Sequence, residues 1–178
     1  MRLCTLGHGT LERADFIELV TNAGICAIVD IRAFPGSRRH PHFARDAMET
    51  WLRGAGVDYH WEPRLGGRRH GDSDSPHTAL TNASFRAYAD HMAGPEFVAG
   101  LDATLDRARR APTTVMCSES VWWRCHRRLV ADATTLLRKV EVVHVFHDGR
   151  TRLHAPMPEA RIDGDHLVYG DPPLPGVD

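Results

Sequence analysis

Two cysteines, Cys117 and Cys125, have the setting best suited to covalent chemistry in this sequence. Cys117 ends an apolar run, and Cys125 stands at the predicted start of a helix beside Arg124, His126 and Arg127. Helix N-termini and neighbouring cations lower the pKa of a thiol and so favour the reactive thiolate. Either cysteine could therefore be a nucleophilic or supporting thiol. The open alternative is that both are small buried residues that pack beneath a loop.

Acid–base chemistry and metal binding are two further possibilities for the same segment. Glu119 follows the apolar run and is the better general acid or base, unless it pairs with a loop arginine. Cys117, Cys125, His126 and the more distant His8 could offer metal ligands, but the Cys-x7-Cys spacing is looser than the paired cysteines of structural zinc sites. We therefore predict a catalytic set, without metal or cofactor, of Glu119, Cys117, Cys125, His126 and His8.

Clustered arginines predict recognition of an anion. Residues 32–70 carry eight arginines against four acidic residues, a local excess of positive charge in a chain whose net charge is −1. Arginine binds phosphate through a planar fork of donors, and a helix N-terminus near Arg124 would add amide donors. The predicted substrate-binding residues are Asp30, Arg32, Ser37, Arg38, Arg68, Arg124 and Arg127. Asp30 is expected to orient Arg32 or His126, because the surrounding cations make it a poor general base.

Alternating strand and helix signals must position these residues. Short apolar runs predict strands over residues 2–6, 26–31, 57–61, 113–117 and 141–146. Amphipathic stripes predict helices over residues 11–23, 43–55, 83–92, 95–110 and 124–139. The fold class that follows is α/β: a single domain over residues 1–170, with a mainly parallel five-stranded sheet flanked by helices and a short C-terminal hairpin around Asp163-Gly164. Residues 171–178 are predicted to be a flexible tail.

The topology predicts where the candidate residues meet. In parallel sheets, ligands bind outside the carboxyl ends of the strands. Most of the candidate residues follow or end separate predicted strands, so we predict a polar, mainly cationic cleft at that edge. His144 lies instead inside the last predicted strand, between two valines, and is expected to be a hydrogen-bonded core histidine.

Length and composition exclude several classes of protein. The chain has 178 residues, of which 42% are hydrophobic and 25% charged, as expected for one globular domain and not for a disordered protein. The near-neutral net charge argues against a histone-like DNA binder. We find no apolar stretch long enough to span a membrane and no signal peptide. Four cysteines are too few for a disulfide scaffold, so a reducing cytoplasm is expected.

Several short segments resemble a widespread prokaryotic family, the domain of unknown function 488. The matching segments are Thr5–His8, Val29–Arg38, Pro41–Phe43, Leu65–Arg68, Phe85–Ala89, Met116–Glu119 and Trp123–Arg127. The most specific of them are the Asp-x-Arg-x-x-Pro and Cys-His-Arg pieces, and the resemblance covers about residues 3–170. This chain departs from the family at Gly9, where a serine is usual, and at Val121-Trp122, where a proline is common. The resemblance implies an α/β domain and no assigned activity.

Three functions are compatible with these residues. The leading hypothesis is an enzyme that acts on a phosphate-bearing substrate, either a nucleotide or nucleic acid, with an arginine clamp, a thiol and Glu119 as acid or base. Trp122 and Trp123 could supply a stacking face for a base, or could pack as a lid. The alternatives are a non-catalytic module that binds anions or nucleic acid, and a metal-binding thiol site. The cysteine-phosphatase spacing Cys-x5-Arg is not present, because the arginine after Cys117 comes one position late. A membrane partner is not predicted either.

Overall fold

A computed structural model of the protein describes residues 1–36, 38–71 and 74–170. Its strands are β1 (Arg2–Gly7), β2 (Ala27–Asp30), β3 (Asp58–Trp61), β4 (Thr113–Cys117), β5 (Glu141–Val145), β6 (Thr151–Leu153), β7 (Ala160–Asp163) and β8 (His166–Tyr169). Its helices are α1 (Arg13–Asn22), α2 (Arg45–Gly54), α3 (Ala83–Met92), α4 (Pro95–Arg110) and α5 (Arg127–Arg138). The predicted tail, residues 171–178, lies outside the described residues.

The α/β fold and its mainly parallel sheet are confirmed, with one additional strand. The order is β3-β2-β4-β1-β5-β6, and the first five of these are mutually parallel. The sixth strand, β6, pairs antiparallel with β5 at the edge. Sequence analysis did not predict it, because its three residues are all exposed and show no apolar alternation. The predicted hairpin is present as β7 and β8.

The helices cover both faces of the sheet, and the connections that follow its central strands go to opposite faces. One apolar cluster contains residues of α1 and α2, and the other contains residues of α3, α4 and α5. The connections after β1 and β2 therefore leave on one face, while the connection after β4, which lies between them, leaves on the other. Such a divergence opens a crevice at the carboxyl ends of the strands.

The start of α5 differs from the prediction. The helix begins at Arg127, although apolar periodicity suggested a start at Arg124. Trp122–Arg124 form a separate 3-10 turn, and Cys125 has extended backbone angles of φ −125° and ψ 150°, which an α-helix cannot include. Cys125 is therefore held on a bend between two helical turns.

A buried polar chain crosses the interior behind the crevice. Thr5 Oγ1 lies 2.6 Å from His144 Nδ1, and His144 Nε2 lies 2.9 Å from His154 Nδ1. His154 Nε2 lies 2.8 Å from Asp132 Oδ1, and Asp132 Oδ2 accepts a 3.1 Å hydrogen bond from the Tyr169 hydroxyl. All five side chains are buried, so each depends on the others for its hydrogen bonds.

The C-terminal hairpin holds the segment that precedes α3. The backbone N–H of Tyr169 donates to His77 Nδ1 at 3.2 Å, and the N–H of Ala79 donates to the carbonyl of Tyr169 at 3.0 Å. Residues that follow β3 are thus fixed by residues near the end of the chain.

Across the described residues, no helix has the length and apolar composition needed to cross a bilayer.

Candidate functional site

A cleft of about 510 Å³ opens at the carboxyl ends of the central strands. Segments that follow β1, β2, β3 and β4 contribute its walls, as the topology requires. Eight of the candidate residues line it: His8, Arg32, Arg68, Cys117, Glu119, Arg124, Cys125 and His126. Their chemical roles stay predictions, but residues far apart in the sequence share one cavity.

Four candidate residues lie elsewhere. Asp30 is fully buried behind Arg32, and Arg127 is buried, only 1% exposed. Arg38 is exposed and does not contribute to the cleft wall. Ser37, also predicted to bind substrate, lies outside the described residues.

Arg32 is fixed by an internal carboxylate. Its Nε lies 2.9 Å and its Nη2 2.6 Å from the two carboxylate oxygens of Asp30, which is 0% exposed. The Tyr59 hydroxyl donates to the same carboxylate at 2.6 Å. Asp30 therefore orients Arg32 and not His126. Because this bidentate pair uses two of the guanidinium nitrogens, Arg32 has little capacity left to clamp a phosphate.

His8 meets the cleft as an uncharged ring. Its Nδ1 donates to the carbonyl of Gly9 at 2.9 Å, which leaves Nε2 to accept from Arg32 Nη1 at 3.3 Å. The ring stacks on Phe43 with centroids 4.1 Å apart. Burial and the charge of Arg32 lower the pKa of His8 to about 3. His8 is therefore neutral at physiological pH and supports Arg32.

Acid should destabilise the protein through His8. Its pKa lies near 6.5 when unfolded and about 3 when folded, so the unfolded chain binds the extra proton between these values and stability falls as pH falls. Between pH 7 and pH 5 the loss should be about 2 kcal/mol. Urea unfolding at both pH values should show a shallower pH dependence in His8→Asn than in the wild type. Equal slopes would contradict the assignment of a neutral His8.

The two candidate thiols are in direct contact. Cys117 Sγ lies 2.7 Å from Cys125 Sγ, and the two residues are 2% and 6% exposed. His126 Nδ1 lies 3.5 Å from Cys125 Sγ, while His126 Nε2 donates to the carbonyl of Ile31 at 3.1 Å. This hydrogen bond places the ring proton on Nε2, so the lone pair of Nδ1 faces the thiol. His126 is thus positioned to accept the proton of Cys125.

A close glycine helps to hold that imidazole. A Cβ added to Gly67 would lie 2.5 Å from His126 Nδ1, so no larger residue fits there without displacing the ring. Gly67 therefore permits the backbone after β3 to approach His126 closely.

Buried charge decides which thiol ionises. Arg127 donates to the backbone carbonyls of Glu119 and Ser120, but within the described residues it forms no ion pair with a carboxylate. A buried cation needs a counter-charge, and the thiols beneath the cleft interact with this guanidinium. Burial raises the pKa of Cys125, but the hydrogen bond from Cys117 and the nearby His126 and Arg127 outweigh it and lower that pKa.

The same contacts act oppositely on the partner thiol. Burial and its hydrogen bond to Cys125 raise the pKa of Cys117 well above its ordinary value. The opposite directions of the two pKa shifts favour Cys125 as the thiol that ionises and Cys117 as its hydrogen-bond donor.

Glu119 has a local structural role that was not predicted. Its carboxylate accepts from the N–H of Val121 at 3.1 Å, and its side chain is exposed at the cleft rim. Among the described residues it forms no salt bridge to an arginine, so the alternative role in an ion pair is not observed. Its backbone carbonyl matters more, because it accepts from Arg127.

An aromatic wall of the cleft escaped sequence analysis. Phe34 is 70% exposed and lines the cleft, with the Arg68 guanidinium 5.5 Å from its ring centroid. Trp122 stacks instead on His144 with centroids 3.9 Å apart, and neither it nor Trp123 lines the cleft. A large apolar side chain in a polar loop between Arg32 and a proline was the available signal for Phe34.

The alternative of a metal-binding thiol site has no support among the described residues. In the described part of the chain, no group of three His, Cys, Asp or Glu side chains is arranged to hold a metal ion.

These features define a class: an α/β domain with a paired-thiol cleft at the carboxyl edge of a mainly parallel sheet. The chain belongs to the family described as domain of unknown function DUF488, whose sequence model matches residues 12–134. The resemblance seen in the short segments is thereby confirmed. No curated protein and no solved structure matches the chain.

Proposed function

We propose that the cleft is a thiol active site that acts on a phosphate-bearing substrate. Cys125 is the nucleophile, His126 exchanges its proton, and Arg68 and Arg124 hold the phosphate. One observation carries this proposal: a buried thiol contacts a second thiol and an imidazole lone pair, and interacts with Arg127, which forms no ion pair with a carboxylate of the described residues.

The cations at the cleft rim support an anionic substrate. Arg68 and Arg124 both line the cleft and are exposed, and within the described residues neither forms a salt bridge. Their forked donors are therefore available to a phosphate. Arg32 and Arg127, by contrast, are committed to protein groups and shape the site from below.

The exposed aromatic wall supports a nucleotide among phosphate-bearing compounds. Phe34 presents most of its ring beside Arg68. A base could stack on such a ring while the phosphate contacts the arginine, an arrangement that tolerates any base. The same surface would accept the end of a nucleic-acid strand.

The proposed reaction moves one proton from Cys125 through His126 to the leaving group. The Cys125 proton moves to His126 Nδ1, and the thiolate forms a bond to the electrophilic atom of the substrate. The leaving group departs with the bonding electron pair and takes the proton back from His126. Glu119, exposed at the rim, is proposed to act on water or on a leaving group farther out.

Phosphate should protect the nucleophile from alkylation. Iodoacetamide at neutral pH should label Cys125 first, and inorganic phosphate or a nucleoside monophosphate should slow this labelling, less so at high salt because screening weakens phosphate contacts. Peptide mapping by mass spectrometry measures the rate. The double variant Arg68→Met/Arg124→Met should retain the basal rate and lose most of the protection.

Arg110→Met is the matched control, because Arg110 lies at the end of α4, away from the cleft. Protection that is unchanged in the double variant, or lost equally in Arg110→Met, would remove the rim arginines from the proposal. The non-catalytic alternative makes a different prediction: Cys125→Ser would leave every function of the protein intact and only the arginines would matter. A cytoplasmic location stays a prediction.

A further inference from the structure

We propose that Cys117 and Cys125 form a redox-active pair, in which hydrogen peroxide oxidises Cys125 and Cys117 then closes a disulfide. This inference shares the Cys125 thiolate with the proposed function but does not require the anionic substrate.

The positions of the two sulfur atoms suit disulfide formation. They lie 2.7 Å apart, and a disulfide bond of about 2.05 Å requires them to approach by less than about 1 Å. Cys117 ends β4 and Cys125 follows the 3-10 turn, so the loop between them can adjust without movement of the sheet. All four cysteines of the chain are described and free, and only this pair is in sulfur contact.

The cleft gives a small oxidant access to the right sulfur. Cys125 lines the cleft and is the more exposed member of the pair. Peroxide reacts with thiolates, and Arg127 and His126 stabilise the thiolate at Cys125. Cys26, although exposed, makes a weak 3.8 Å contact to the Gly24 carbonyl and lies outside the cleft wall.

The two steps balance as follows. The Cys125 sulfur attacks one peroxide oxygen, the O–O bond breaks, and the departing hydroxide takes a proton to become water. Sulfur is oxidised to the sulfenic acid while peroxide is reduced. The Cys117 sulfur then attacks the Cys125 sulfur, the S–O bond breaks, and hydroxide leaves as water with the Cys117 proton. In total, two thiols and one peroxide give one disulfide and two waters.

Arg127 makes the disulfide easy to reduce. Disulfide formation removes the thiolate, and the buried guanidinium loses its counter-charge. The reduced pair is therefore stabilised relative to the oxidised pair, which is the condition for a readily reduced disulfide. A small thiol such as glutathione should restore the nucleophile, so oxidation would switch the site off reversibly.

The test uses the full-length protein, dilute hydrogen peroxide and peptide mass spectrometry. The wild type should lose two of its four titratable thiols, yield a linked peptide pair containing Cys117 and Cys125, and recover both thiols with glutathione. Cys117→Ser should instead accumulate a sulfenic acid on Cys125 that dimedone traps, with the fold checked by circular dichroism. Should that variant fail to fold, the linked peptide of the wild type decides the question.

Oxidation that begins at Cys26, or that gives sulfinic acid on Cys125 with no linked peptide, would overturn the inference. Its failure is distinguishable from failure of the proposed function. A protein that shows phosphate protection but no disulfide keeps the proposed function, and one that shows the disulfide without protection keeps only the redox pair.

Discussion

Replacing Asp132 by alanine should lower the free energy of unfolding by about 3–5 kcal/mol. The carboxylate is 0% exposed and accepts from His154, from the Tyr169 hydroxyl and from the backbone N–H of Met157. Its removal leaves these buried donors without an acceptor, and an unsatisfied buried group costs the full desolvation energy. Urea or guanidinium denaturation, followed by circular dichroism, measures the change.

Asp102→Ala provides the matched control. Asp102 accepts a 2.8 Å hydrogen bond from its ion-pair partner Arg138, but its side chain is 53% exposed. Exposed pairs contribute about 0–1 kcal/mol, so this variant should unfold almost as the wild type does. Similar losses in both variants would show that the buried polar chain has no special role in holding the hairpin to α5.

Replacing Arg127 by methionine should slow alkylation of Cys125 at pH 6 roughly tenfold or more, because the thiolate loses its buried counter-charge. The guanidinium interacts with both thiols and is 1% exposed, so solvent does not screen it. Iodoacetamide labelling over a range of pH, with peptide mapping, gives the rate and its midpoint. The midpoint should move to higher pH in Arg127→Met.

Two further variants separate charge from shape. Arg127→Lys keeps a cation and should retain much of the wild-type rate. Arg124→Met removes an exposed charge from the same segment and should leave the basal rate unchanged. If Arg124→Met slows labelling as much as Arg127→Met, the thiolate is stabilised by the general potential of the cleft and not by the buried arginine.

Periodicity and turn signals were sufficient for most of the fold. The boundaries of α3, α4 and β4 agree with the prediction, because their apolar stripes and the Gly94-Pro95 break are strong local signals. The edge strand β6 was missed because three exposed residues carry no such signal. The start of α5 was misplaced because the bend at Cys125 depends on tertiary contacts that periodicity does not report.

The location of the candidate site could be predicted from the sequence, but the contacts within it could not. Because ligands bind at the carboxyl ends of parallel strands, we could predict that His8, Arg32 and Cys117, from three distant parts of the sequence, lie at one edge of the sheet. The partner of each side chain could not be read from the sequence, because it depends on distances of a few ångströms. Asp30 could have faced Arg32 or His126, and His144 was expected in the core without its partner His154 being evident.

The C-terminal hairpin lies beyond the region that the family model matches, and yet it supports one wall of the cleft. The match to DUF488 ends at residue 134, yet β8 lies at residues 166–169 and its Tyr169 holds the segment around His77 and Ala79. That segment leads into α3, whose Phe85 lines the cleft. The hairpin, which lies outside the matched region, therefore supports the cleft wall to which Phe85 belongs. Substitutions in the hairpin are therefore expected to change the shape of this wall while the residues around the two thiols stay the same.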